Sequence, residues 1–253
     1  MMMSLQALMW GTIAGSALLL GAAAAWWLDI PRKIVSSIMA FGAGVLISAL
    51  AFELVAEAEE VGGLWATVVG FLAGAVSYVG ANSLLVRLGA EHRRRSKAAL
   101  RPGSRDGGAS NGGTAIAVGA LLDGIPESIV LGVGLLTGAA VNPTMLAAIF
   151  ISNVPEGLAS TADMKRAGKG PKEVFAIWGS IAVLSGLAAM VGYLALDNAP
   201  GEIIAVVTAI AAGGILAMLA DTMIPEAFEE QHMLTGLIAA LGFLAALILH
   251  HSV

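Results

Sequence analysis

Eight long apolar stretches, separated by polar connections, constrain this chain more than any other feature. These spans 1 to 8 are Leu5–Leu28, Ile34–Phe52, Gly62–Val86, Thr114–Gly138, Pro143–Thr161, Val174–Leu196, Ile203–Ala220 and Met233–Leu249. A helix that crosses a bilayer needs about 20 predominantly apolar residues. The chain is only 12% charged, whereas about 25% is typical of soluble domains. We therefore predict an all-α polytopic membrane protein with about eight transmembrane helices, in a single domain over residues 1–253.

The positive charges predict an orientation. All 13 lysines and arginines fall in the connections after spans 1, 3 and 5. With eight spans these connections share one face, which the positive-inside rule assigns to the cytoplasm. The sequence thus predicts a protein of the cell inner membrane with both termini outside. The connection over residues 87–113 is basic, rich in Gly and Ser, and predicts a mobile linker.

An internal repeat relates span 2 to span 7. Gly44–Ala58 aligns with Gly213–Ala227 without gaps. The matched residues are Gly44, Leu50, Ala51, Glu57 and Ala58, opposite Gly213, Leu219, Ala220, Glu226 and Ala227. Because the two spans run in opposite directions, the repeat is inverted, an arrangement found in many secondary transporters. We predict a 3+2+3 arrangement, with Glu57 at the outer end of one helix and Glu226 at the inner end of its mate.

Spans 4 and 5 each carry a polar residue four positions before a Pro-Glu pair. The two segments are Leu122–Ser128 (LDGIPES) and Ile151–Gly157 (ISNVPEG). The spacing puts Asp123 on the face of Glu127, and Ser152 on the face of Glu156. Each proline releases a backbone carbonyl, which lipid tolerates only where protein, water or an ion satisfies it.

The acids in these spans need a neutralising partner. An ionised acid at the bilayer centre costs about 3 kcal/mol on insertion scales, and no span contains a lysine or arginine. Protonated carboxyls that only hold two helices together would explain one such acid. Three acids on two proline-containing helices instead favour a cation site.

These segments resemble the ZIP family of divalent metal-ion transporters, in its bacterial form. That family carries His-Asn-x-Pro-Glu-Gly-like motifs on helices 4 and 5, and the similarity extends to Phe41–Ala58, to Met223–Ala227 and to nearly the whole chain. The resemblance implies a cation bound between spans 4 and 5 and moved by alternating access. The implied metal ligands are Asp123, Glu127, Ser152, Asn153 and Glu156, and the implied pathway residues are Glu53, Glu57, Asp221 and Glu226.

Several positions depart from the family pattern. Asp123 and Gly124 stand where the family has His and Asn, and Ser152 replaces the helix 5 His. Ala189 stands where helix 6 of the family often has a glutamate. We therefore expect a mononuclear, all-oxygen site. Such a site weakens the case for zinc, which favours imidazole and thiolate ligands, relative to manganese or iron.

The remaining polar residues support two interpretations. Glu53 and Glu57, with Glu59 and Glu60, form an outer acidic mouth that gathers cations or is simply a solvated helix end. Asp221 and Glu226, with Glu229, Glu230 and His232, form a matching inner cluster. The final histidines, His250 and His251, are predicted to be a frayed tail rather than a metal site.

No enzyme motif is present, so we do not expect an enzyme. The expected substrate is a divalent ion (zinc, manganese or iron), with no organic cofactor. The expected partners are that ion and the lipid bilayer, without nucleic acid, and a homodimer is one candidate assembly. Two alternatives stay open: a proton-coupled transporter of a non-metal substrate, and a metal-binding membrane protein that does not transport. An intramembrane hydrolase is a distant third.

Overall fold

A computed structural model describes residues 2–85, 112–137, 142–229 and 233–252 of the chain, and this part is helical throughout its regular elements. We number the long helices α1 to α8. They are α1 Met2–Trp27, α2 Arg32–Ala49, α3 Ala56–Leu85, α4 Gly112–Thr137, α5 Pro143–Arg166, α6 Pro171–Leu196, α7 Gly201–Met218 and α8 Thr235–Ser252. The predicted linker over residues 87–113 lies almost wholly outside the described residues.

Two of these helices continue through π-helical segments. Leu50–Val55 joins α2 to α3, and Leu219–Met223 joins α7 to the single turn Ile224–Ala227. The continuous path from α2 into α3 is broken at Gly63, whose φ of 74° and ψ of 169° are not helical. Only glycine adopts such a backbone conformation readily. The break lies next to Gly62, the predicted start of span 3, and well beyond the predicted end of span 2.

The helices pack as two groups. In the first, which we call the site bundle, α1 contacts α4, α5 and α6, and α4 also packs along α6. In the second, the flanking bundle, α3 packs along α7 and α2 packs along α8. The bundles meet chiefly where α2 contacts α5 and where α4 contacts α7.

Small residues allow these close helix contacts. A Cβ atom on Gly21 of α1 would lie only 2.0 Å from the carbonyl oxygen of Val154 on α5. Backbones this close are typical of helix packing in lipid, where small residues line the interfaces.

Six stretches of the described residues are long and apolar enough to cross a membrane, by length and composition. They include α1, α6 and α8 and the combined stretch Arg32–Leu84. The prediction of an all-α polytopic membrane protein is therefore confirmed at this level.

The ends of α1, α2 and α5 lie together on one face. Lys165 Nζ donates a hydrogen bond to the carbonyl oxygen of Trp26, at 3.0 Å. Burial raises the pKa of Asp163, near the end of α5, above its ordinary value. The guanidinium groups of Arg166 and of Arg32, which begins α2, partly oppose that rise. The connections after spans 1 and 5 thus leave the molecule on the same side.

Candidate ion-binding site

Helix α4 places two of the predicted ligands in the protein interior. Asp123 is 2% exposed and Glu127 is 3% exposed, and Pro126 lies inside the helix between them. The i, i+4 spacing predicted a shared face for the two acids, and both are buried. Glu127 lies close enough to Glu156 and to Asp123 for its negative charge to be repelled by theirs. The structure thus brings the acids of spans 4 and 5 to one region.

Helix α5 supplies the other predicted ligands. Ser152 and Asn153 are buried, and Glu156 is half-buried with its Oε1 atom fully enclosed. Ser152 Oγ donates to the carbonyl oxygen of Ile149 at 2.9 Å. Asn153 Nδ2 donates to the carbonyl oxygen of Ala14 on α1 at 3.1 Å. This second hydrogen bond fixes the amide, so Oδ1 is the atom of Asn153 that could bind a cation.

Asp123 also has a partner in the flanking bundle. The hydroxyl group of Tyr78, on α3, donates a hydrogen bond of 2.7 Å to Asp123 Oδ1. Sequence reasoning missed this residue, because Tyr78 lies in an apolar span and no local pattern connects it with span 4.

The predicted ligands are near one another but not assembled. Among the residues that the structure describes, no three histidine, aspartate or glutamate side chains are grouped so that they could hold a metal ion. Serine and amide oxygens can supplement two carboxylates, since hard cations take neutral oxygen ligands. A site that uses all three acids would require at least one of these side chains to move.

Two predicted pathway residues line a cleft between the bundles. The cleft is bordered by the first π segment, the start of α3, α4, the start of α5 and α7. Its polar lining is Glu53, Glu57, Asn142 and Thr208. On α4 the lining residues Val130 and Leu131 lie one turn beyond Glu127, so the cleft approaches the buried acids. Glu59 and Glu60 are exposed and do not line it.

Glu53 is held by two residues that the sequence did not connect with it. Its Oε2 accepts a hydrogen bond from Asn142 Nδ2, and its Oε1 lies 2.7 Å from His250 Nδ1. Asn142 also caps α5, because its Oδ1 accepts from Met145 N at 3.1 Å. The Asn-Pro pair that opens α5 was a recognisable cap signal.

The prediction of a frayed tail at His250 and His251 is therefore wrong. Both residues belong to α8, and the ring of His250 stacks near Phe52 while it contacts Glu53. The buried carboxylate of Glu53, in the first π segment, gives this last helical turn a partner.

The second predicted pair of pathway residues lies in and just after the second π segment, and neither residue lines the cleft. Asp221, in the second π segment, is exposed, and its Oδ2 lies 3.4 Å from Asn82 Nδ2 on α3. Glu226 is half-buried in the following turn. Glu230 and His232, which completed the predicted inner cluster, lie outside the described residues.

The fold and the buried acids define a polytopic α-helical membrane protein with carboxylates inside its helix bundle. Comparison with known proteins adds no relative: no protein-family model matches the chain, and no curated protein matches it by sequence.

Proposed function

We propose that this chain is a divalent-cation transporter similar to the ZIP family, and that it binds its ion between α4 and α5. One observation carries the proposal. Two neighbouring proline-containing helices direct Glu127 and Glu156 into one region of an apolar bundle, with Asp123 close to Glu127. Every lysine and arginine of the chain belongs to the connections after spans 1, 3 and 5. A bound cation is the remaining way to keep these acids ionised in lipid.

The described helices support eight crossings. Arg32–Leu84 has 53 residues, which would extend about 80 Å as one straight helix at about 1.5 Å per residue. The hydrocarbon core is about 30 Å thick, so the break at Gly63 is best read as the turn between two crossings. The remaining crossing is α5, whose polar residues lower its hydropathy while its length of 24 residues is sufficient. Eight crossings place the basic connections on one face, as the positive-inside rule requires.

The matched halves support an inverted repeat. Both π segments begin at a leucine of the aligned repeat, Leu50 or Leu219. The glycines that head the repeat also have equivalent surroundings. A Cβ on Gly44 would lie 1.9 Å from the Ala239 oxygen of α8, and a Cβ on Gly213 would lie 1.9 Å from the Phe71 oxygen of α3. The contact of α2 with α8 therefore mirrors that of α7 with α3.

The packing suggests which parts would move. In transporters built from inverted repeats, one repeat unit or bundle commonly moves against the other. In the structure α1 and α6 pack with α4 and α5, so the site bundle as a whole is the better moving unit. The cleft beside Glu53 and Glu57 reaches to within one turn of Glu127 on α4, so we propose it as the access route from one face. Movement of the site bundle against the flanking bundle would close this side and open the other, as alternating access requires.

A proton-coupled transporter of another substrate is the second candidate. The observation in its favour is that Asp123, Glu127 and Glu156 do not form a three-acid metal group in the described conformation. Carboxylates that only bind and release protons would not have to be grouped around one ion, because each would be neutralised by its own proton.

Uptake by purified protein in liposomes separates these functions. Under the proposal, external Mn²⁺, Fe²⁺ or Zn²⁺ accumulates in the vesicles, saturably and in competition with one another. Proton uptake that is indifferent to all metals would instead support the second candidate. Saturable metal binding without flux would identify a metal-binding membrane protein that does not transport.

A further inference from the structure

Helix α3 directs hydrogen-bond donors at two of the acids assigned to the ion path. Tyr78 donates to Asp123 at 2.7 Å, and Asn82 lies with its Nδ2 3.4 Å from Asp221 Oδ2. The two donors are four residues apart, so they share one face of α3. Two such donors on the predominantly apolar part of α3 that follows Gly63 indicate a specific role, because polar side chains inside membrane helices are costly.

The bond between Tyr78 and Asp123 joins the two bundles. Tyr78 is 4% exposed and belongs to the flanking bundle, whereas Asp123 is 2% exposed and belongs to the site bundle. Contacts between α3 and α4 are otherwise sparse. A hydrogen bond to a carboxylate is stronger than one between neutral groups, and burial strengthens it further. This bond therefore ties α4 to α3 at the level of the acids, in addition to the packing of α4 against α7.

The position of this bond bears on how Asp123 could bind a cation. In the described conformation Asp123 is engaged by Tyr78, and the three acids are not grouped as metal ligands. At least one acid must turn to form a shared site, and where Asp123 turns toward a cation held by Glu127 and Glu156, its contact with the phenol at Oδ1 changes. Hydroxyl group and cation then compete for Oδ1.

We propose that Tyr78 is a positioning residue that holds Asp123 until a cation takes its place, and so couples ion binding to release of α4 from the flanking bundle. This inference rests on the proposed transport function and adds to it a residue outside spans 4 and 5. The phenol stabilises the carboxylate in one conformation of the cycle, and the cation does so in the other.

The chain offers a direct test because it contains only two tyrosines. Protein labelled with carbon-13 at the phenolic carbon gives one resonance from Tyr78 and one from Tyr193. The variants Tyr78→Phe and Tyr193→Phe assign them. Addition of Zn²⁺ or Cd²⁺, which are diamagnetic, should shift the Tyr78 resonance as its hydrogen bond changes. The Tyr193 resonance, which reports another part of the molecule, should stay in place.

Binding measurements supply the second readout. Tyr78→Phe removes the competing donor and keeps the ring, so its cation affinity should rise about tenfold, whereas Tyr193→Phe should match the wild type. An unmoved Tyr78 resonance at saturating cation, or unchanged or weaker affinity of Tyr78→Phe, would overturn the role of Tyr78 and leave the transport function intact. If the wild-type protein binds no cation saturably, the transport function fails and this inference fails with it.

Discussion

The two π segments occupy matched positions in the aligned halves, but the acids near them have different surroundings. In the first half Glu53 is buried, contacts Asn142 of α5 and His250 of α8, and lines the cleft. In the second half Asp221 is exposed and lies near Asn82 of α3, within its own bundle. In the alignment Glu53 is opposite Thr222, and Asp221 is opposite Phe52. The backbone is therefore repeated while the chemistry is not.

This difference separates what the repeat does from what the acids do. π-helical segments insert an extra residue and often occur at functional sites. Here Glu53 of the first segment contacts Asn142 at the start of α5, whereas Asp221 of the second segment lies near Asn82 of α3. We infer that the repeated backbone allows two alternative packings of the helices, one open to each membrane face. Glu53 and Asp221, which have no acidic counterpart in the other half, make the two faces chemically different.

The largest expected effect concerns Glu127 and Glu156, which lie on α4 and α5, outside the two repeated halves. Glu127→Ala or Glu156→Ala should reduce metal flux at least a hundredfold while the protein still reaches the membrane, because each removes a buried carboxylate that the proposed transporter uses to bind its cation. Flux into liposomes, normalised to the folded protein recovered, measures this. Glu59→Ala, at an exposed glutamate, is the matched control and should behave like the wild type.

Wild-type flux in either variant would move the site away from α4 and α5. Unfolding of both variants would indicate instead that the glutamates hold the helices together.

The next effect tests the symmetry of the halves. Gly44→Ala and Gly213→Ala should destabilise the protein equally, by about 1–3 kcal/mol each, because both would overpack a helix contact. Each new Cβ would approach a backbone oxygen of the neighbouring helix to 1.9 Å. Thermal unfolding in detergent measures the loss.

Gly80→Ala provides the control, since a Cβ there meets nothing within 4 Å and alanine is the better helix former. A large loss at one glycine of the pair with none at the other would contradict the equivalence of the two halves.

Much of this fold could be predicted from apolar runs, but its polar interior could not. The boundary at Gly63 and the start of α5 at Asn142-Pro143 carry local signals. Span 2 was predicted to end at Phe52, because the acids that follow resemble a helix end, whereas the helical path continues to the break at Gly63. An inserted π turn leaves no trace in a 3.6-residue period.

The contacts of the candidate site were harder to predict for a different reason. Tyr78 with Asp123, and Glu53 with His250, are far apart in sequence. Their pairing depends on which helices become neighbours, and apolar periodicity in lipid carries little information on that point. The Pro-Glu segments could be found because proline and acid both stand out within an apolar span.

A third effect tests the asymmetry of the two acids directly. Glu53→Gln keeps a hydrogen-bonding side chain but removes the charge beside the cleft, so the apparent KM for the metal should rise about tenfold, equivalent to about 1.4 kcal/mol. Asp221→Asn, at the matched but exposed segment, should change it less than twofold. Concentration series of initial uptake provide the values. Equal effects at the two positions would mean that both faces handle the ion alike.

A smaller effect concerns selectivity within the shared site. Asp123→His restores the ligand of the resembling family and replaces a charged oxygen with an imidazole nitrogen, which zinc prefers. The preference for Zn²⁺ over Mn²⁺ should rise about fivefold, worth roughly 1 kcal/mol. Competition between the two ions in one lipid mixture measures the ratio. An unchanged ratio, with Glu127→Ala still inactive, would show that Asp123 is not a ligand.

The smallest effect is expected where the halves differ most in length. In the repeat, the long basic connection between α3 and α4 corresponds to the connection between α5 and α6. That second connection is a short turn, from Arg166 to Pro171, and it is long enough to join two helices that run in opposite directions.

Residues 92–110, which lie outside the described residues, contain few large apolar side chains and a single histidine. They therefore have little surface with which to build a core and little capacity to bind metal. Their removal should leave flux within twofold of the wild type, measured on equal amounts of protein in liposomes. Removal of residues 96–110 alone, which keeps His92 and the adjacent arginines, is the control for charge. Complete loss of flux in a well-expressed deletion would assign this connection a gating or ligand role that the second half lacks.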